Sequence, residues 1–143
     1  MTSSVPVPEG SKPNTPEGAT AFARWYIEQT SKAGVDWDTS AVQAYADDSC
    51  VTCKGVADAV QEWKEFGYRH PSPRYEFQAS QVGPGPTPDT LDVDLMGRDR
   101  AAPILGADGS VVEQLPDKDV PMRITVRWDG SGWKVQQIQA ILR

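Results

Sequence analysis

The clearest structural signal in this chain is VPMRITVRWDGSGWKV, residues 120–135. Apolar residues alternate with polar ones over 120–128, which predicts a strand with one buried face. The turn residues DGSG at 129–132 then predict a hairpin into a second strand that contains Trp133 and Val135. The apolar phase slips after that point, because Ile138 comes three residues after Val135. Such a slip predicts a β-bulge near Gln136 and Gln137.

The same two-residue period occurs earlier in the chain. Residues 75–79 and 91–95 alternate between apolar and polar side chains, so each segment predicts a strand. Two apolar pairs, 104–105 and 111–112, flank Asp108-Gly109, a moderate hairpin signal. Three prolines within residues 83–88 predict a loop there, because proline cannot donate to a central strand.

Helical patterns fill the first half of the chain. Thr15 is a good N-cap, and Pro16 suits the first helical position of a helix predicted to fade near Gly34. A short second helix is predicted from Asp38, and a third helix is predicted to begin after Thr52 as its N-cap. The buried stripe of the third helix is predicted to contain Val56, Ala59, Val60, Trp63 and Gly67. Gly67 also predicts the C-terminal end of this helix. Helices followed by strands predict an α+β fold, with three N-terminal helices packed on a curved antiparallel sheet of four to six strands.

The composition sets the domain organisation. The chain has 143 residues and a formal charge of -6, so nucleic acid is a poor partner. Residues 1–14 are rich in proline and serine without an apolar period, which predicts a disordered tether. Residues 15–143 are then predicted to form a single domain. No apolar run is long enough to span a membrane. We expect Met1 to stand in place of a removed leader.

The only two cysteines are Cys50 and Cys53. A disulfide, a redox pair, half of a metal site and two free thiols are the alternatives. Zinc needs four ligands, and His70 is the only histidine. A thioredoxin-like pair follows a strand, whereas this pair lies between two predicted helices. We therefore expect a structural disulfide that fixes the angle between the second and third helices, and no metal site.

Five polar residues form a possible site. His70 precedes a proline at the end of the third helix, where we expect solvent to reach it. Asp92 and Asp94 share one strand face, and paired carboxylates perform acid–base chemistry when one of them is desolvated. The alternative is a solvated strand face, which we favour. Arg123 and Arg127 share another polar face, where they would bind an anion or, as we favour, pair with the strand aspartates.

Aromatic residues are the other candidates for a binding site. A small core does not need as many tryptophans as this chain has, so some of them could line a pocket. The more common role of aromatics at these periods is core packing. The possible pocket residues are Trp25, Tyr26, Trp63, Phe77 and Trp133.

The order of these elements resembles the nuclear-transport-factor-2-like superfamily, also called the SnoaL-like or cystatin-cone fold. The segments that carry the resemblance are TPEGATAFARWY at 15–26 and WDGSGWKV at 128–135. The chain is also similar to an uncharacterised family of actinobacterial surface lipoproteins. The residues that match it are Gly18, Ala19, Phe22, Trp25, Tyr26, Cys50 and Cys53. The resemblance implies a cone with a possible pocket and a location at the cell surface. The chain departs from the lipoprotein pattern because no lipobox cysteine lies near residue 1.

We therefore expect a non-catalytic, extracytoplasmic domain, at the cell surface or secreted, that binds a small ligand or an envelope protein. It would contact the membrane only through a lipid anchor that this chain does not contain, and it would use no cofactor. Its sheet face is a candidate homodimer interface. One alternative is a small cone-fold isomerase or hydratase that uses Asp92 or Asp94 with His70. The other is a thiol–disulfide protein that uses Cys53, whose sulfur would then be exposed.

Overall fold

The computed structural model of the protein describes residues 6–141. A short 3-10 turn at Glu9–Ser11 precedes three α-helices and six strands within that range. The helices are α1 (Pro16–Asp36), α2 (Ser40–Ala44) and α3 (Val51–Phe66). The strands are β1 (Tyr75–Pro84), β2 (Thr90–Asp99), β3 (Ala102–Leu105), β4 (Val111–Leu115), β5 (Lys118–Trp128) and β6 (Trp133–Ala140).

The helix α1 begins as the sequence predicts. The Thr15 hydroxyl accepts a hydrogen bond from the Gly18 amide at 3.0 Å, which satisfies one of the free amides of the first turn. The helix continues to Asp36, two residues past the predicted end, and Trp37 closes it in the left-handed conformation. The Trp37 indole donates to the Tyr68 carbonyl at 2.7 Å, so the end of α1 is tied to the segment after α3.

The helix α3 begins earlier than predicted. Cys50 is its N-cap and accepts a hydrogen bond from the Cys53 amide at 3.2 Å. Thr52 was the predicted cap, but its hydroxyl donates to the Ile138 carbonyl instead, at 3.0 Å. The helix ends at Gly67 as predicted, with φ at 76°. A side chain at Gly67 would lie 2.7 Å from the Ala107 Cβ, so the backbone and the close approach both require glycine here.

The sheet confirms the predicted fold class. The strands β1, β2, β5 and β6 form an antiparallel four-stranded sheet in that order, and β3 and β4 form a separate hairpin within the described residues. The pair Val93 and Ile124 sits at the centre, where both side chains are fully buried. Phe22 and Tyr26 of α1 belong to the same buried cluster. The core therefore lies between α1 and one face of the sheet.

Two β-bulges interrupt the sheet. Thr125 pairs with Gln137 and Val126 pairs with Val135, which leaves Gln136 as the extra residue and confirms the bulge that the sequence predicts. A second bulge at Gln78 of β1 has no sequence signal that we recognised. Bulges bend and twist a strand, so these two positions curve the sheet around the helices.

One loop prediction needs correction. Residues 83–88 were predicted to be a loop, yet β1 includes Gly83 and Pro84, which pair with Asp92 and Leu91. The strand β1 is an edge strand with one neighbour. Proline is tolerated on an edge because its missing amide would face away from the ladder.

The predicted tether also needs correction. Residues 1–5 lie outside the described residues, but Val7 packs against the core and Ser11 is buried. The Trp133 indole donates to the Pro13 carbonyl at 3.0 Å. The segment from Val7 to Pro13 is therefore a docked strap, because the indole provides a partner for its backbone and the core offers an apolar surface to Val7.

Candidate functional site

A cleft of about 230 Å³ opens between α1, α3 and the start of β1. Helix α1 contributes small residues, α3 contributes apolar ones, and the segment that leads into β1 contributes three polar or aromatic side chains. The lining residues are Thr30, Ser31, Gly34, Val56, Ala59, Val60, Trp63, His70, Arg74 and Tyr75. This cleft brings together two of the residues that the sequence singled out, Trp63 and His70.

Trp63 forms one wall of the cleft. It was predicted to be a core residue, but it is only half-buried. Its ring lies edge-on to the His70 ring, with 5.0 Å between the centroids. The prediction was wrong because the stripe of α3 that faces the sheet narrows to Cys53 and Val60, and Ala59, which was placed on that stripe, is exposed at the cleft. Part of the indole surface therefore remains available to a ligand.

His70 is buried, with 7% of its surface exposed, rather than reached by solvent as predicted. Its amide donates to the Gly34 carbonyl at 2.8 Å, and its Nδ1 lies 3.0 Å from the Pro103 carbonyl oxygen. A carbonyl oxygen only accepts, so Nδ1 carries the proton of the neutral ring and Nε2 is left as an acceptor. Burial lowers the pKa of His70, and the nearby Arg74 charge lowers the pKa further.

Arg74 and Asp99 form a buried ion pair beside His70. Nη2 of Arg74 lies 2.7 Å from Oδ2 of Asp99, and the side chains are 15% and 6% exposed. Two further polar atoms of the pair, Nη1 of Arg74 and Oδ1 of Asp99, are buried without a partner among the described residues. Burial and the Asp99 charge raise the pKa of Tyr75, the next lining residue. Buried polar atoms without a partner are rare in native structures, so this pair sets this end of the cleft apart from the ordinary core.

Sequence reasoning missed Arg74, Tyr75 and Asp99. Tyr75 was placed at the start of a predicted strand, directly after Arg74, and Asp99 carried no local signal. Asp99 reaches the cleft because it pairs in register with Tyr75 across β1 and β2. The bulge at Gln78 sets that register, so the pairing depends on a feature that the alternation of side chains does not reveal. The one available signal was the closeness of Arg74 and Tyr75 to the single histidine.

The strand aspartates lie in a different environment. Asp94 accepts two hydrogen bonds from Arg123, at 2.7 and 3.0 Å, which is the cross-strand pair favoured from the sequence. Asp92 accepts from the Thr125 hydroxyl at 2.7 Å. Neither aspartate hydrogen-bonds to His70, whose polar partners are backbone carbonyls. The structure therefore does not assemble the acid–base set of Asp92 or Asp94 with His70.

Arg127 also departs from the favoured pairing. Its Nη2 lies 2.6 Å from Oδ1 of Asp47, in the segment before α3. The Ser49 hydroxyl, which donates to the same carboxylate, and then Arg127 hold the pKa of Asp47 below its usual range. With Asp47 as its partner, Arg127 is engaged in a structural contact and is not free to bind an anion.

The remaining aromatic candidates do not line the cleft. Tyr26 is fully buried and donates its hydroxyl to the Val42 carbonyl at 2.7 Å, so burial raises its pKa. Trp25 packs edge-on against Tyr45. The Phe77 ring lies beneath the Arg24 guanidinium. Trp133 is buried under the strap. These residues belong to the core and its margins, which is the more common role of aromatic residues.

The two cysteines form the predicted disulfide, with 2.06 Å between the sulfurs. Cys50 is fully buried and Cys53 is 2% exposed. Thiol–disulfide exchange needs a sulfur that another thiolate can reach. The structure therefore gives this pair a structural role at the start of α3, and it does not present the exposed Cys53 sulfur that a redox protein requires.

Two further features of the described residues bear on the class of site. No group of three or more histidine, cysteine, aspartate or glutamate side chains within residues 6–141 is arranged to hold a metal ion. No helix in that range is long and apolar enough to cross a membrane.

Comparisons with known proteins support the fold. No protein-family model matches the chain, and no curated protein matches its sequence. Solved structures do match. The intermembrane space region of the chloroplast protein ARC6 aligns over 87% of this chain and 97% of its own, with a TM-score of 0.63 and 15% identity.

Two bacterial structures align as well. Aln2 from a Streptomyces species aligns over 82% of this chain and 85% of its own, with a TM-score of 0.52 and 12% identity. An uncharacterised protein with a cystatin-like fold from Caulobacter vibrioides covers 84% of this chain and 87% of its own, with a TM-score of 0.47 and 13% identity. This chain has the cystatin-like, nuclear-transport-factor-2-like cone fold. At these identities the likeness shows the fold alone, and one fold of this kind hosts several functions.

Proposed function

We propose that this protein is a non-catalytic, extracytoplasmic domain that binds a small ligand in the cleft between α1, α3 and β1. The cleft carries the proposal, because it combines an apolar wall with a few convergent polar groups, which is the usual composition of a ligand site. Trp63 and Val60 supply apolar surface, while His70 and Arg74 supply polar atoms.

Binding is better supported than acid–base catalysis for a geometric reason. A catalytic histidine is oriented by a carboxylate or exchanges its proton with a substrate. His70 instead donates an Nδ1–H hydrogen bond to the Pro103 carbonyl, and the adjacent carboxylate of Asp99 is held by Arg74. A neutral imidazole fixed in this way is suited to receive a hydrogen bond.

The disulfide supports the extracytoplasmic location. Disulfides persist in oxidising compartments and are rare in the cytosol, and Cys50 and Cys53 are bonded here. A lipid anchor in the native protein is the remaining part of this proposal. Protease accessibility on intact cells of the native host tests the location, and metabolic labelling with a fatty acid tests the lipid anchor. Complete protection from protease in intact cells would contradict a surface location.

The binding proposal is tested by nuclear magnetic resonance with the full chain and a library of neutral and charged fragments. We expect the shifted signals to concentrate on the Trp63 indole and on His70. Trp63→Ala should abolish them. Trp128→Ala is the matched control, because Trp128 is also half-buried but packs against Trp133 with 5.1 Å between ring centroids. A library that shifts no cleft signal at millimolar concentration would refute the proposal.

A further inference from the structure

We propose that the ligand of this cleft is a small, flat, electrically neutral molecule that donates a hydrogen bond to Nε2 of His70. Heteroaromatic N–H compounds and phenols are the chemical classes that fit this description. The inference rests on the proposed function, because it names the ligand class of the same cleft.

The charges around the cleft select a neutral ligand. Arg74 is the one charged side chain in the lining, and Asp99 already neutralises it at 2.7 Å. An anion that took Arg74 from Asp99 would leave a buried carboxylate without its counter-charge, which is costly. An anion beside the intact pair would be repelled by the Asp99 carboxylate. A cation would find no carboxylate in the lining and would be repelled by the Arg74 guanidinium.

The hydrogen-bond capacity of His70 selects a donor. Nδ1 is committed to the Pro103 carbonyl at 3.0 Å, and this contact fixes the tautomer in which Nε2 carries the lone pair. No hydrogen bond joins Nε2 to another group among residues 6–141. A ligand hydroxyl or N–H would satisfy it, whereas a ligand that brings only acceptors would leave it unpaired.

The size and walls of the cleft select a flat and small molecule. Its volume of about 230 Å³ lies below the roughly 300–1,000 Å³ of sites for drug-sized ligands. Trp63 offers a ring on one side, and aromatic pairs gain stability beyond their buried area. Gly34 lines the cleft without adding a side chain to it. A single-ring or fused two-ring molecule suits these limits.

The experiment compares indole with benzofuran, which has the same shape but replaces the N–H donor with an oxygen acceptor. Both are titrated into the full-length chain at pH 7.5, and the signals of Trp63 and His70 are followed. We expect indole to bind about two- to ten-fold more tightly, which is the effect of one net hydrogen bond. Indole-3-carboxylate, which keeps the donor and adds a negative charge, should bind more weakly than indole.

The variant His70→Asn isolates the donor contact. The asparagine amide can replace Nδ1 in donating to the Pro103 carbonyl, but it lacks the acceptor at Nε2. We expect indole and benzofuran to bind this variant equally. The pH dependence of the wild-type protein provides a second readout that needs no substitution. Protonation turns Nε2 into a donor, so the preference for indole should disappear below the pKa of His70. The charged groups that act on this pKa are Arg74 and Asp99.

The outcomes separate this inference from the proposed function. If benzofuran binds the wild-type protein as tightly as indole, or if the preference survives in His70→Asn, the ligand class is wrong and the cleft is still a binding site. Tighter binding of indole-3-carboxylate than of indole would overturn the neutrality of the ligand. If no fragment shifts the cleft signals, the proposed function fails and this inference fails with it.

Discussion

The two ends of α3 are held by different means. At the first end, Cys50 caps the helix and bonds to Cys53, three residues away. At the other end, His70 holds the Pro103 carbonyl across 33 residues, and Arg74 holds Asp99 across 25. The first end is encoded by a short local motif. The second is assembled from distant segments, and it is the end that forms the cleft.

The largest expected loss of stability is at the end of α3 that forms the cleft. Asp99→Asn removes the counter-charge of Arg74 and leaves a buried guanidinium unpaired. Breaking a buried pair in this way typically costs about 3–5 kcal/mol of unfolding free energy. Urea unfolding followed by tryptophan fluorescence measures the loss.

The control for Asp99 is Asp94→Asn on the sheet. The pair of Asp94 with Arg123 is 31% and 41% exposed, so water replaces much of what is lost. Pairs of this kind contribute about 0–1 kcal/mol. Equal losses for the two variants would show that the Arg74–Asp99 pair is solvated, and that the cleft is less dry than its geometry indicates.

The next largest loss of stability is expected at the first end of α3, which the disulfide holds. The double variant Cys50→Ala/Cys53→Ala should lose stability toward the low end of about 2–4 kcal/mol, because the closed loop is very short. The loss includes the cap that Cys50 provides to the Cys53 amide. The His70 and Trp63 signals should keep their positions if the two ends are independent. Displaced cleft signals in this variant would mean that the disulfide sets the position of the whole helix.

Locally encoded features could be predicted from the sequence. The Thr15 cap, the Gly67 stop and the bulge at Gln136 each depend on residues within a few positions, and the structure has all three. The order of elements was sufficient to predict the α+β class, and the resemblance of residues 15–26 and 128–135 to a known superfamily predicted the cone.

The cleft could not be predicted in the same way. His70 was expected to be solvated because a proline follows it, but its burial comes from Gly34 and Pro103. Asp99 meets Tyr75 through the register of β1 and β2, which the bulge at Gln78 shifts. Alternation of side chains predicts which face a residue occupies but not which residue lies opposite. The docking of the strap on Trp133 could not be predicted for the same reason, because Pro13 and Trp133 are separated by 120 residues.

A smaller effect is expected for Trp63→Ala. Truncation of a fully buried large aromatic residue costs about 3–5 kcal/mol, but Trp63 is only half-buried. We expect a loss of about 1–2 kcal/mol, because part of its surface already faces the cleft. Phe22→Ala, at 1% exposure, is the comparison and should show the full cost. If Trp63→Ala loses as much as Phe22→Ala, the indole is a core residue and the cleft has lost a wall.

The smallest expected effect is the response of stability to mild acid, and it reports on the cleft end alone. Burial lowers the pKa of His70 in the folded chain below the value of about 6.5 in the unfolded chain. Between these two values the unfolded chain binds more protons than the folded one, so unfolding becomes easier as the pH falls. The stabilisation is therefore complete above about pH 6.5 and is lost progressively as the pH falls through the lower pKa of the folded state. Urea unfolding at intervals from pH 7.5 to 5 should show this decline in the wild-type chain and not in His70→Asn, which cannot titrate there. The carboxylates whose pKa is lowered, such as Asp47 and Asp129, respond only at more acidic pH. A flat profile in the wild-type chain would mean that His70 is as solvated as in the unfolded state, and the cleft end would then resemble the ordinary loop that the sequence predicted.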